Sequence, residues 1–152
     1  MIDHHIYTIG KMKGLSVEDQ LDWRYDIEHY VRDMCAIQGI PNKNVTFIHP
    51  PDYYSYAEDN HKSEAELMEW ELNQIAHCDI VIVNLDGIEE SIGSHIELGV
   101  VNAVNMVTDR HIFVLGLGKM KDDIHPWIKE SIFRCEDDAE SMAKYIVKYL
   151  IL

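Results

Sequence analysis

The chain has 152 residues, 47% hydrophobic and 26% charged, with 27 acidic against 13 basic side chains and a formal net charge of −14. That composition is globular and fits one domain. It repels a nucleic-acid polymer or an anionic membrane, but local charge can still hold a small nucleotide. No apolar run is long enough to span a bilayer, and the opening MIDHHIYTIG has no signal-peptide layout. Cys35, Cys78 and Cys135 are too few and too scattered for a disulfide framework, so reduced thiols and a cytoplasmic location are expected. No CxxC or HxxxH spacing occurs, and no metal or other cofactor is expected.

Apolar runs and helical periods then alternate along the chain. HIYTIG (5–10) is a short β-forming run closed by glycine, the first predicted strand. Residues 17–37 carry Leu21, Tyr25, Glu28, Val31 and Cys35 at three- and four-residue steps and predict a helix. NVTFIHPP (44–51) predicts the second strand, stopped by Pro50 and Pro51. A Ser63–Glu66 capping-box pattern opens a helix through residue 78. DIVIVNL (79–85) is nearly all apolar and β-branched, as a central strand buried on both faces should be. GSHIELGVVNAVNMV (93–107) predicts a helix, HIFVLGLG (111–118) a strand, HPWIKE a short helix, SIFRC (131–135) the fifth strand, and residues 137–152 a closing helix.

This alternation predicts an α/β fold, a five-stranded parallel sheet of flavodoxin or Rossmann-like kind in the order 2-1-3-4-5, with helices on both faces. Ligands in such sheets bind outside the carboxyl ends of the strands, where strand order reverses. That places Gly10, Lys11, Met12 and Lys13 at the crevice, together with residues 84–94, including Asp86 and Ser91. ESIGSHIELG (90–99) falls at the same point. Its Ser94 and Glu97 fit a capping box. The same placement suits a catalytic carboxylate, kept ionised by the helix dipole and projecting into the crevice, while Gly93 and Gly99 leave room for close approach. Spacing alone leaves both readings open.

IYTIGKMKG with Tyr7, WELNQIAHCDIVIVNLDG and SIGSHIELG, in that order, resemble the nucleoside 2-deoxyribosyltransferase superfamily, which includes the 2′-deoxynucleoside 5′-monophosphate N-glycosidases. The resemblance covers roughly residues 5–118. It implies that Glu97 is the nucleophile attacking C1′ of the sugar and that Tyr7 orients it. Glu71 stands where the family usually has an aspartate that contacts the sugar or assists proton transfer, a departure of one methylene. The resemblance also implies a homodimer or higher homo-oligomer.

A second departure is Ser91, where the transferases usually carry an aspartate. The monophosphate N-glycosidases resemble this chain in having serine there, in contact with the 5′-phosphate. A hydroxyl and helix N-terminal N–H groups bind phosphate where a carboxylate would repel it. Ser91 also suits a plain N-cap, and Ser94 suits either task. Lys11, Lys13, Lys119 and Lys121 follow strands at the same mouth, and Arg24 joins them if its helix starts there. Asp79, at the far end of its strand, reads as structural. The expectation is cleavage of the N-glycosidic bond of a 2′-deoxynucleoside or its 5′-monophosphate through a deoxyribosyl–Glu97 intermediate, with hydrolysis of the monophosphate favoured. Base exchange between deoxynucleosides is the near alternative. A non-catalytic nucleotide-binding or signalling domain is the alternative from another class.

Overall fold

The computed structural model describes residues 2–54 and 61–152. Five strands form one all-parallel sheet in the order β2-β1-β3-β4-β5, as predicted: β1 His4–Ile9, β2 Val45–Ile48, β3 Ile80–Asn84, β4 Phe113–Leu117 and β5 Arg134–Glu136. The predicted fifth strand starts three residues early. Residues 131–133 instead finish helix α5 and cross to the sheet, where the Phe133 amide donates to Val114 O.

Helices α1 (Val17–Ile37) and α6 (Ala139–Tyr145) cover one face, and α3 (Glu64–His77), α4 (Ile92–Val107) and α5 (Pro126–Ser131) the other. Alternation along β3 divides the core accordingly. Val81 and Val83 pack with Ile75, Leu98 and Val101, and Ile80 and Ile82 with Ile27, Val31 and Ile146. Pro50 and Pro51 do end β2, but they open a single helical turn, α2 (Pro50–Tyr53), because proline suits the first helical positions. The closing helix loosens into π-type bonding over Ile146–Ile151. Among the described residues no helix is long and apolar enough to cross a membrane.

The α1 period holds at Val31 and Cys35, but its first half is offset from expectation by one position. Gln20, Arg24, Ile27, Val31 and Cys35 face inward, and Tyr25 is exposed. Arg24 is therefore the largest fully buried side chain described, not a cation at the mouth. Asp79 has the structural role expected of it: its carboxylate accepts from the His5 amide at 2.9 Å and lies 3.8 Å from Arg110.

Candidate active site

The site forms where β1, α1, α3 and α4 meet. Tyr7 lies on β1 facing the α3–α4 layer, and its hydroxyl donates to Glu97 Oε1 at 3.1 Å across 90 residues of sequence. Glu71, on α3, points a buried Oε1 that has no hydrogen-bond partner among the described residues. Its charge is felt by both Glu97 and Tyr7, so the three groups form one electrostatic unit.

Burial dominates that unit. It pushes Glu97 up to about 8, helped by the Glu71 charge and opposed by the Tyr7 hydrogen bond and Arg24. Burial likewise raises Glu71 to about 7, with Glu64 adding and Arg24 opposing. The Tyr7 phenol is driven well above its ordinary range by burial and the two carboxylates, so it remains a donor. The expectation that the helix dipole keeps Glu97 ionised is thus corrected. Glu97 lies in the second turn of α4, where the dipole has faded, and desolvation outweighs it.

The capping-box reading of Ser94 and Glu97 is corrected as well. The helix starts one residue earlier than predicted, at Ile92, with Ser91 rather than Ser94 in the N-cap position. The Ser91 hydroxyl makes no capping bond. It lies 2.7 Å from Ser94 Oγ, and Ser94 is buried. The hydroxyl pair therefore stands at the helix N-terminus without being consumed by the backbone.

Gly93, one turn before Glu97 on the same helical face, has open space where a Cβ would stand. Gly99 is just as open, but two residues beyond Glu97 it projects from the opposite side of α4, so it does not make room at the carboxylate. Gly10 is required by packing: an added Cβ would meet Trp23 Cζ2 at 2.7 Å and Asn84 Cβ at 3.3 Å. Lys11 is held by Glu90 at 2.5 Å, which neutralises it locally. Met12 contributes its carbonyl to Gln20 Nε2 and the Leu15 amide. Asp86 is exposed at the tip of the loop after β3, its amide bonded to Asn84 Oδ1. Lys13, Lys119 and Lys121 are exposed.

Arg24 is the neighbour that sequence reasoning misplaces. Its guanidinium donates to Thr8 Oγ1 at 3.2 Å, to Gly10 O at 3.4 Å and to Gln20 O, and lies 4.4 Å from the Trp23 ring centre. All three acceptors are neutral. Burial lowers it to about 10, while Glu97, Tyr7, Asp52 and Glu71 pull the other way, so it stays cationic at neutral pH. Thr8 in turn meets His49 Nδ1 at 3.0 Å, and His49 Nε2 meets Glu28 at 2.8 Å. The signal in the sequence is the 20/24/27/31/35 spacing, hidden because one of its members is an arginine.

A site with two raised carboxyls, a phenol donor and a buried cation can hold one carboxylate anionic while the other carries a proton. That is the equipment of acid–base and nucleophilic chemistry.

Two solved structures share this architecture. A conserved protein from Enterococcus faecalis V583 matches with a TM-score of 0.66 at 14% identity, over 97% of this chain and 99% of that one. The Clostridium botulinum CMP N-glycosidase BcmB matches with a TM-score of 0.53 at 14% identity, over 96% and 99%. The likeness is one of fold. No family profile and no curated protein sequence matches the chain.

Proposed function

We propose that this chain hydrolyses the N-glycosidic bond of a 2′-deoxynucleoside 5′-monophosphate. The observation that carries the reading is the bond from Tyr7 to Glu97 beside the unpartnered Glu71 carboxyl. The shared fold with a protein named as a CMP N-glycosidase supports it. One Glu97 oxygen attacks C1′, the C1′–N bond breaks, and the departing base takes a proton from Glu71. Water then attacks C1′ of the ester, gives its proton to Glu71, and frees Glu97 with the sugar phosphate. Glu97 and Glu71 titrate as a pair. Positive charge growing at C1′ favours the anion on Glu97, which moves the shared proton to Glu71.

Incubation with deoxynucleosides and their monophosphates, with chromatography for free base, tests the reading. A new nucleoside formed on adding a second base would mark a transferase instead. No base release from either substrate class would leave only a binding domain.

The monophosphate preference rests on the Ser91–Ser94 hydroxyl pair at the start of α4. Ser91→Asp is expected to cut turnover of the monophosphate relative to the nucleoside by on the order of 10²-fold, since a carboxylate would face the phosphate. An unchanged ratio removes the phosphate assignment.

Tyr7→Phe deletes the hydrogen bond to Glu97, which favours that carboxyl's anionic form. It should lower kcat/KM by roughly 10–100-fold. The bond also lowers the Glu97 pKa, so the acid limb of the pH profile should move to higher pH. A profile that does not move argues that Tyr7 only packs.

A further inference from the structure

We propose that His49 and Thr8 are positioning residues of the candidate active site: through the relay Glu28–His49–Thr8 they fix the buried Arg24 guanidinium near the Glu97 and Glu71 carboxyls. Arg24 and Thr8 are 0% exposed and His49 2%. A buried cation is costly unless something holds and compensates it. Arg24 donates to Thr8 Oγ1, Gly10 O and Gln20 O, and none of these is charged. An anion does stand at the end of the relay. Arg24 Nε meets Thr8 Oγ1 at 3.2 Å, Thr8 Oγ1 meets His49 Nδ1 at 3.0 Å, and His49 Nε2 meets Glu28 Oε2 at 2.8 Å.

The direction of each bond follows from what the ends can do. Glu28 Oε1 accepts from Arg32 Nε at 2.7 Å. Burial pushes Glu28 up, but its bonds from His49 and Arg32 outweigh that and hold it below its ordinary value. An ionised carboxylate only accepts, so His49 Nε2 carries the hydrogen. Burial holds His49 below its ordinary value, with Glu28 and Asp52 opposing and Arg24 adding. A neutral ring with its hydrogen on Nε2 has only a lone pair at Nδ1, so the Thr8 hydroxyl donates there. The other acceptor within reach of that hydroxyl, Ile48 O, is farther at 3.4 Å. With its hydrogen committed, the Thr8 oxygen turns its lone pairs to Arg24 Nε–H. Each donor and acceptor along the relay is used once. Tyr25 and Phe47 pack on the His49 ring, each with its centre 5.5 Å away, and the Tyr25 hydroxyl donates to Asp52 at 2.5 Å.

Successive side chains of β1 point to opposite faces of the sheet. Tyr7 therefore reaches Glu97 on one face while Thr8 holds Arg24 on the other. Arg24 also bonds Gly10 O, at the crevice end of the strand. From there its charge favours the anions of Glu97 and Glu71, against burial of both, the Glu71 charge at Glu97 and the Glu64 charge at Glu71. Among the described residues no carboxylate bonds Arg24 directly. Its place relative to Glu97 thus depends on neutral acceptors and on whatever orients them. The functional role rests on the reading of Glu97 as the nucleophile, but the placement of Arg24 does not.

Carbon-13 in the glutamate carboxyls allows Glu97 to be titrated by NMR in the intact protein, its signal assigned by its loss in Glu97→Gln. Thr8→Val keeps the shape and removes the hydroxyl. It should loosen Arg24 and move the Glu97 titration to higher pH by on the order of one pH unit. The smaller anionic fraction should lower kcat/KM at neutral pH roughly 10-fold. Thr8→Ser keeps the hydroxyl and should leave both near the parent's values. His49→Phe should move the titration the same way by less. Added to Thr8→Val it should change nothing further, because it acts through Thr8. If Thr8→Val folds poorly, Glu28→Gln at the partly exposed end of the relay decides by sign. Loss of an anion acting only through space would lower the Glu97 value, whereas a weakened relay raises it. A Glu97 titration that is unmoved or lowered in the deciding variant overturns the proposal. So does a Thr8→Ser protein that behaves like Thr8→Val, or additive effects of His49→Phe and Thr8→Val. The titration needs no turnover. Base release by Glu97→Ala at the parent's rate would remove the nucleophile and leave the titration standing, while an unmoved titration would remove the relay alone.

Discussion

Glu97→Ala is expected to lower base release by on the order of 10⁴-fold or more, because it removes the group proposed to form the ester at C1′. Glu97→Asp keeps the charge but withdraws it by about one bond length. On the order of 10²-fold should be lost for that misplacement alone. Both are read by chromatography of free base against the parent at equal protein concentration. The parent, quenched in acid during turnover, should also carry a mass increment equal to the sugar phosphate, and Glu97→Ala should not. Base release by Glu97→Ala at the parent's rate would remove the carboxylate from the chemistry and leave Tyr7 hydrogen-bonded to a merely structural acid.

Stability should show the opposite response to the same residue. Glu97 is raised to about 8 and Glu71 to about 7, both chiefly by burial. A carboxyl raised in this way holds its proton more tightly folded than unfolded. Its contribution is fully present below the ordinary value of 4.5 and is lost as pH rises towards about 8. The parent should therefore weaken by on the order of 3 kcal/mol between about pH 5 and pH 8. Glu97→Gln keeps the shape, removes the buried charge and relieves Glu71, so its stability should be much flatter with pH and higher than the parent's at about pH 8. Urea unfolding across that range measures both curves. Parallel curves for parent and variant would mean that Glu97 ionises in the folded chain as freely as in water. A variant that is more stable and inactive would mark Glu97 as a residue kept for function at the expense of the fold.

Much of this arrangement is legible without the structure. The β-branched run at 79–85 has no polar alternation, so it has to be a strand covered on both faces, and the strand–helix alternation then dictates a parallel sheet. The Ser63–Glu66 cap is equally plain, and Ser63 Oγ does accept from the Glu66 amide. The α1 register is not legible in this way, because a period built on apolar residues counts Tyr25 as inward and Arg24 as outward. A buried arginine becomes intelligible only when Thr8, Gly10 and Gln20 are seen to offer it three oxygens. The start of α4 is masked by a competing Ser94–Glu97 pattern. The true N-cap, Ser91, makes no capping bond that would mark it.

The sheet, its strand order and the loops at its crevice follow from periodicity and chain alternation, which act over a few residues at a time and are therefore written in the sequence. The crevice position admits Glu97 as a candidate, and only the resemblance to the nucleoside 2-deoxyribosyltransferase superfamily adds Tyr7 and Glu71. Tertiary contacts alone establish that Tyr7 bonds Glu97, that Glu71 lies close enough to raise it, and that a buried Arg24 opposes both shifts. The physical reason is desolvation. The charge state of a carboxylate depends on what displaces water around it, and here β1 and α3 are brought to α4 from distant parts of the chain.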